Sequence, residues 1–113
     1  MELNNSFGKA LLANLKSLDE KMKALDGSTG NESQVMIPIP NYLIKQKDPA
    51  VSNFLRCIGA INNIKELGLP VSLEQGAEIK LNNGEVSRII ECVFTYSTNT
   101  DVFKIEEFLF KNL

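Results

Sequence analysis

The dipeptide Asn83-Gly84, between two runs of alternating apolar and polar residues, constrains the fold of this 113-residue chain most strongly. Two-residue hairpin turns favour Asn-Gly because both central positions take a positive φ. Such a turn sets three cross-strand pairs, which are Leu81 with Val86, Ile79 with Arg88 and Ala77 with Ile90. The sequence therefore predicts an antiparallel hairpin whose register is fixed by the turn and by the alternation.

A four-stranded meander is predicted around this hairpin, with strands at 71–74, 77–81, 86–96 and 102–105. The segment "DVFKIEEFLFKNL" fits either a continuous helix or a strand followed by a short C-terminal helix. The strand interpretation is preferred, because one continuous helix would be apolar over more than half of its circumference. In periodicity alone, "AEIKL", "NNGEV" and the long strand resemble SH3-like small barrels. The resemblance implies a small curved antiparallel sheet or partial barrel.

The clearest helix follows Asp48, which is placed to cap it, with Pro49 in the first turn. Gly68 is placed to end it. Its apolar face is broad, comprising Ala50, Val51, Phe54, Leu55, Cys57, Ile58, Ile61 and Ile64. A face of this width predicts a core helix packed on the sheet. Gly59 costs ~1 kcal/mol relative to alanine inside a helix, which predicts close approach of another backbone there.

The segment "VMIPIPNYL" alternates like a strand but contains Pro38 and Pro40. Residues two apart direct their N–H groups the same way, so both prolines remove donors from one edge only. The opposite edge, through Ile37, Ile39 and Asn41, remains able to pair. We therefore predict an edge strand or extended arm whose prolines discourage pairing with other chains.

The N-terminal segment, residues 6–25, is predicted to be an amphipathic helix capped by Ser6. Five apolar residues form a narrow stripe along it, which are Leu11, Leu15, Leu18, Met22 and Leu25. The stripe either packs on the chain's own domain, the favoured interpretation, or binds a second copy or a partner. Residues 26–34 contain no large apolar side chain and are predicted to be a flexible tether. The predicted division is an N-terminal helix and tether, 1–34, and one α+β domain, 35–113.

The residue types needed for common catalytic sites are scarce. The chain has no histidine, which excludes the commonest general base and metal ligand. Cys57 and Cys92 lie among apolar neighbours, which is typical of buried cysteines. Glu106 and Glu107 are adjacent, so on a helix they would diverge from any shared substrate. The sequence therefore predicts no enzyme activity, no cofactor and no metal.

Arg88 falls on the predicted apolar face of the hairpin, opposite Ile79. In the favoured interpretation its aliphatic stem packs and its charge reaches solvent, or a bulge turns it outward. In the other, it binds an anion or a partner's carboxylate. Residues 71–113 carry four basic and seven acidic side chains, which disfavours nucleic-acid binding by the sheet.

The predicted function is that of a small non-enzymatic protein-binding regulator, inhibitor or adaptor, such as a bacterial or phage accessory protein. It would self-associate, or dock on a protein partner, through its N-terminal helix. One alternative is a small-ligand protein that binds or sequesters an anion or nucleotide. Another is a nucleic-acid-binding small barrel. No apolar run approaches the ~20 residues of a membrane helix, and the N-terminus lacks the pattern of a secretion signal, so cytoplasmic localisation is expected.

Overall fold

The computed structural model describes residues 3–24 and 32–113, which form an antiparallel sheet covered by helices. The order of strands in the sheet is β1-β3-β2. The elements are α1 (Ser6–Ala24), β1 (Ser33–Pro40), α2 (Asn41–Lys45), α3 (Pro49–Asn63), β2 (Val71–Lys80), β3 (Val86–Tyr96) and α4 (Val102–Asn112), with a 3₁₀ turn at Lys65–Leu67. The predicted α+β class, with an N-terminal helix, a core helix on an antiparallel sheet and a short C-terminal helix, is confirmed.

Strand β1 is an edge strand, as predicted. It pairs with β3 from Ser33 opposite Tyr96 to Pro40 opposite Ile89. Its alternate residues Val35, Ile37 and Ile39 are buried toward the helices. The strand begins inside the predicted tether, at Ser33, and ends where α2 begins, so the predicted pairing through Asn41 is wrong. The rest of the predicted tether, up to residue 31, lies outside the described residues.

The hairpin between β2 and β3 is present, but its predicted register is wrong. Lys80 pairs with Val86, and Glu78 rather than Ile79 lies opposite Arg88. Gly84 has a φ of 88°, but Asn83 is not among the residues with positive φ, so the predicted two-residue turn does not form. Instead, the Asn83 side chain accepts a hydrogen bond from the Glu85 N–H at 3.0 Å. This local bond favours a longer loop, closed by the Leu81 N–H donating to the Glu85 carbonyl.

A bulge interrupts β2 between Gln75, which pairs with Ile90, and Glu78, which pairs with Arg88. The predicted pair of Ala77 with Ile90 is therefore wrong, and the two strands predicted at 71–74 and 77–81 are one bulged strand. Gly76 lies in the bulge, where an added Cβ would come within 3.0 Å of the Ile89 carbonyl oxygen. The predicted close backbone approach at Gly59 is wrong, because a Cβ there would meet open space. Such an approach is found at Gly76 instead.

The C-terminal segment is helical throughout, so the predicted strand at 102–105 and the four-stranded meander are wrong. Asp101 caps α4 by accepting a hydrogen bond from the Lys104 N–H at 3.1 Å. The helix buries Val102, Ile105 and Leu109 and leaves Phe103 69% exposed. Strand β1 occupies the side of β3 that the predicted fourth strand would have taken.

Helix α3 packs on the sheet as predicted. The Asp48 side chain accepts hydrogen bonds from the N–H groups of Ala50 and Val51. The helix ends at Asn63, and Gly68, with a φ of 65°, ends the 3₁₀ turn that follows. Five residues of the predicted apolar face are buried, which are Val51, Phe54, Cys57, Ile58 and Ile61. This face forms the centre of the core.

Candidate functional site

The predicted leucine stripe of α1 faces the chain's own core. Leu11 and Leu15 have 0% of their surface exposed, and Leu18 and Met22 are partly buried against the same cluster. Leu25 lies outside the described residues. To bind another molecule through Leu11 and Leu15, the helix would have to leave this core. The role of the stripe in partner binding stays a prediction.

Two side-chain hydrogen bonds, one near each end, join α1 to other elements of the fold. Asn5, rather than the predicted Ser6, caps the helix by accepting from the N–H groups of Phe7 and Gly8. The Asn5 amide also donates to the carbonyl of Ala50 at 2.9 Å, which joins α1 to α3. At the other end, the buried Tyr96 hydroxyl donates to Asp19 at 2.8 Å. These bonds join α1 to α3 and β3.

Arg88 already contacts a carboxylate of its own chain. Its guanidinium donates to Glu78 at 2.9 Å and to the Gly76 carbonyl at 3.4 Å. The longer hairpin loop shifts the register by one residue, so Glu78 rather than Ile79 lies opposite Arg88. Its function as an anchor for an anion or a partner's carboxylate stays a prediction.

Among the described residues there is no cluster of three His, Cys, Asp or Glu side chains able to hold a metal ion. Burial raises the pKa of both the Cys57 and Cys92 thiols to about 11, so neither is a thiolate at neutral pH. Within the same residues, no helix has the length and apolar character needed to cross a membrane.

Because Cys57, Cys92 and Tyr96 are buried in their protonated forms, we expect the free energy of unfolding to fall at alkaline pH. Burial, and to a smaller extent the hydrogen bond to Asp19, raises the pKa of Tyr96 from 10.0 to about 12. Burial raises the pKa of both cysteines from 9.0 to about 11. A raised pKa means that the folded state holds its proton more tightly than the unfolded state, so this stability is complete below pH 9 and is lost between pH 9 and 12. Urea unfolding under reducing conditions should show this fall.

The variant Tyr96→Phe serves as the control for the alkaline prediction. It should be less stable than the wild type at pH 8, because Asp19 loses a hydrogen bond. Its stability should then fall less between pH 10 and 12, since one titrating group is gone. A free energy of unfolding that stays constant from pH 8 to 11 in the wild type would contradict the prediction.

The two edges of the sheet differ in their hydrogen-bonding groups. The Thr95 N–H donates to the Pro70 carbonyl, so Pro70 faces β3. Residues of an antiparallel strand face the partner strand alternately. Leu73, three positions further on, therefore directs its N–H and carbonyl away from β3, to the outer edge of β2. No described residue pairs with β2 on that side. On β1 the same alternation turns Pro38 and Pro40 outward, and neither has an N–H. The edge of β2 is open at Leu73, whereas the edge of β1 lacks two of its outward donors, at Pro38 and Pro40, and keeps an outward N–H at Met36.

An apolar groove lies beside this open edge, between α3 and the helix-facing side of β2. Its volume is about 250 Å³, and Leu73 within it is 58% exposed. Gly59 widens the groove because it has no side chain. The lining residues are Leu55, Ile58, Gly59, Asn62, Val71 and Leu73. We call this combination of groove and open edge the β2 surface.

Two larger depressions lie between α1 and α4, with volumes of about 440 and 500 Å³. Both are lined by Lys16 and Glu106, which form a salt bridge at 2.5 Å. The walls of the first are mostly helical, so the backbone groups there are already bonded within each helix. The second is also lined by the turn at 98–101, in which the N–H groups of Asn99, Thr100 and Asp101 are already bonded within the chain. We therefore place the candidate site at the smaller groove, which has open backbone groups beside it.

The β2 surface does not follow from the predicted four-stranded meander, in which 71–74 and 77–81 are separate strands. One signal was available. Proline removes donors from one edge of the sheet at Pro38 and Pro40, but the segment 71–80 contains no proline.

Comparison of the chain with protein-family models, curated proteins and solved structures gives no match in any of the three.

Proposed function

We propose that this protein acts without catalysis, by binding an extended segment of another protein along the outer edge of β2. This function belongs to the regulator, inhibitor or adaptor class. The observation that supports it is the contrast between the two edges: Leu73 presents an open N–H and carbonyl, whereas Pro38 and Pro40 have no N–H to offer on the other side.

An added strand would use both parts of the β2 surface. Its backbone would exchange hydrogen bonds with the N–H and carbonyl of Leu73, which supplies affinity. Its side chain opposite Leu73 would point to the helix-facing side and enter the groove above Gly59. Alternate side chains in such pockets supply specificity.

The size of the groove favours a peptide side chain over a whole small molecule. Its volume of about 250 Å³ is below the roughly 300–1,000 Å³ of sites that enclose drug-sized ligands. The Val71 N–H, which also points outward, is already bonded to Asn62 at 2.9 Å. This bond joins the start of β2 to α3 beside the groove.

Two proline variants test the function. Leu73→Pro removes the outward N–H of β2, and Met36→Pro removes an outward N–H of β1, so neither deletes a bond within the sheet. Proteins captured from a lysate of the source cell should include a set that is lost with Leu73→Pro and retained with Met36→Pro. Circular dichroism should show both variants folded.

Filling the groove gives an independent test. Gly59→Leu would place an apolar side chain in the groove, where a Cβ meets no atom within 4 Å. Capture of the same proteins should fall, while Gly59→Ala should retain most of it. Capture that is equal for the wild type, Leu73→Pro and Gly59→Leu would overturn the proposed function.

A further inference from the structure

Two carboxylates face each other on the side of the sheet away from the helices. Glu74 of β2 lies directly opposite Glu91 of β3. Neither forms a salt bridge with a described residue. Like charges directly opposite one another destabilise a sheet. The arrangement therefore carries a cost in the isolated protein that a bound cation would relieve.

These carboxylates lie next to the open edge. Glu74 follows Leu73, so its side chain projects to the opposite side of the sheet from the groove. The side chain of Glu91 leans over Gly76 of β2, where an added Cβ would come within 3.1 Å of its Cγ. A strand added to β2 would meet the apolar groove on one side and this acidic pair on the other.

Building on the proposed function, we propose that the segment bound by the β2 surface alternates basic and apolar residues. Its lysine or arginine side chains would contact Glu74 and Glu91, and its apolar side chains would enter the groove beside Leu73. Opposite charges on neighbouring strands stabilise their pairing, and the alternation of a strand separates the two kinds of side chain.

A second copy of this chain is a poor occupant of the same edge. If two β2 strands paired antiparallel, centred on Leu73, both Glu74–Glu91 pairs would lie on one face of the joined sheet. Within the paired segment 71–75 there is no lysine or arginine to offset them. The charge of this edge therefore selects a partner of opposite sign.

Synthetic peptides test the inference. A short peptide that alternates lysine and valine should bind the wild-type protein, measured by fluorescence anisotropy, and bind more tightly than one that alternates glutamate and valine. The double variant Glu74→Gln/Glu91→Gln should weaken the lysine peptide about fivefold, whereas Glu107→Gln, an exposed charge on α4, should not. Leu73→Pro should abolish binding of both peptides.

The outcomes separate the two proposals. Equal affinity for both peptides, abolished by Leu73→Pro, would overturn the basic pattern and leave strand addition intact. Absence of binding by either peptide, or binding unaffected by Leu73→Pro, would overturn strand addition itself. The single variant Glu91→Gln gives a further test. It should raise the melting temperature of the free protein, because the repulsion from Glu74 is removed, and it should lower the affinity for the lysine peptide. A variant that lowers both would show that Glu91 has only a structural role.

Discussion

Replacement of Phe54 by alanine is expected to lower the free energy of unfolding by about 3–5 kcal/mol. Phe54 has no exposed surface. Its ring lies 5.7 Å from that of Phe7 in α1 and 6.4 Å from that of Phe94 in β3. One side chain thus joins the N-terminal helix, the core helix and the central strand, and its removal leaves a cavity that none of them can fill alone.

Phe103→Ala provides a matched control, because it makes the same chemical change at a position that is 69% exposed. Its effect should stay within about 0.5 kcal/mol. Both variants are measured by urea unfolding at neutral pH. Similar losses for the two variants would contradict the core described above.

The second large effect is expected from Leu15→Ala, which should cost about 2–5 kcal/mol at any protein concentration. Leu15 is fully buried within one chain, so its contribution should not depend on meeting a second molecule. If the leucine stripe instead mediated self-association, unfolding would depend on concentration through mass action.

The measurement is urea unfolding at two protein concentrations that differ widely, with the exposed Ser17→Ala on the same helix as the control. A midpoint that rises with concentration in the wild type, but not in Leu15→Ala, would show that the stripe binds another copy. Identical midpoints at both concentrations, with a large loss only in Leu15→Ala, would show that α1 belongs to the core.

Local chemistry made several elements predictable from the sequence. The cap at Asp48 and the broad apolar face of α3 depend on residues close together in the chain, and both are present. The prolines at 38 and 40 likewise indicated an edge strand before its partner was known. In each case the signal and the structure it produces occupy the same short segment.

The predictions that were wrong depended on competition between interactions. The Asn83 side chain bonds locally and lengthens the hairpin loop, which shifts the register of Arg88. The Asp101 cap favours a helix at 102–105, while β1, distant in sequence, pairs with β3 instead. The candidate site could not be predicted, because the groove and the facing pair of Glu74 and Glu91 follow from this register.

The prolines of β1 also bear on how many molecules the sheet can join. If two copies met through β2, the continuous sheet would end in β1 on both sides, and each end would present Pro38 and Pro40. Each end would then lack two successive outward donors, which disfavours the addition of a further strand. Joining of sheets edge to edge is therefore expected to favour a pair over an open-ended polymer.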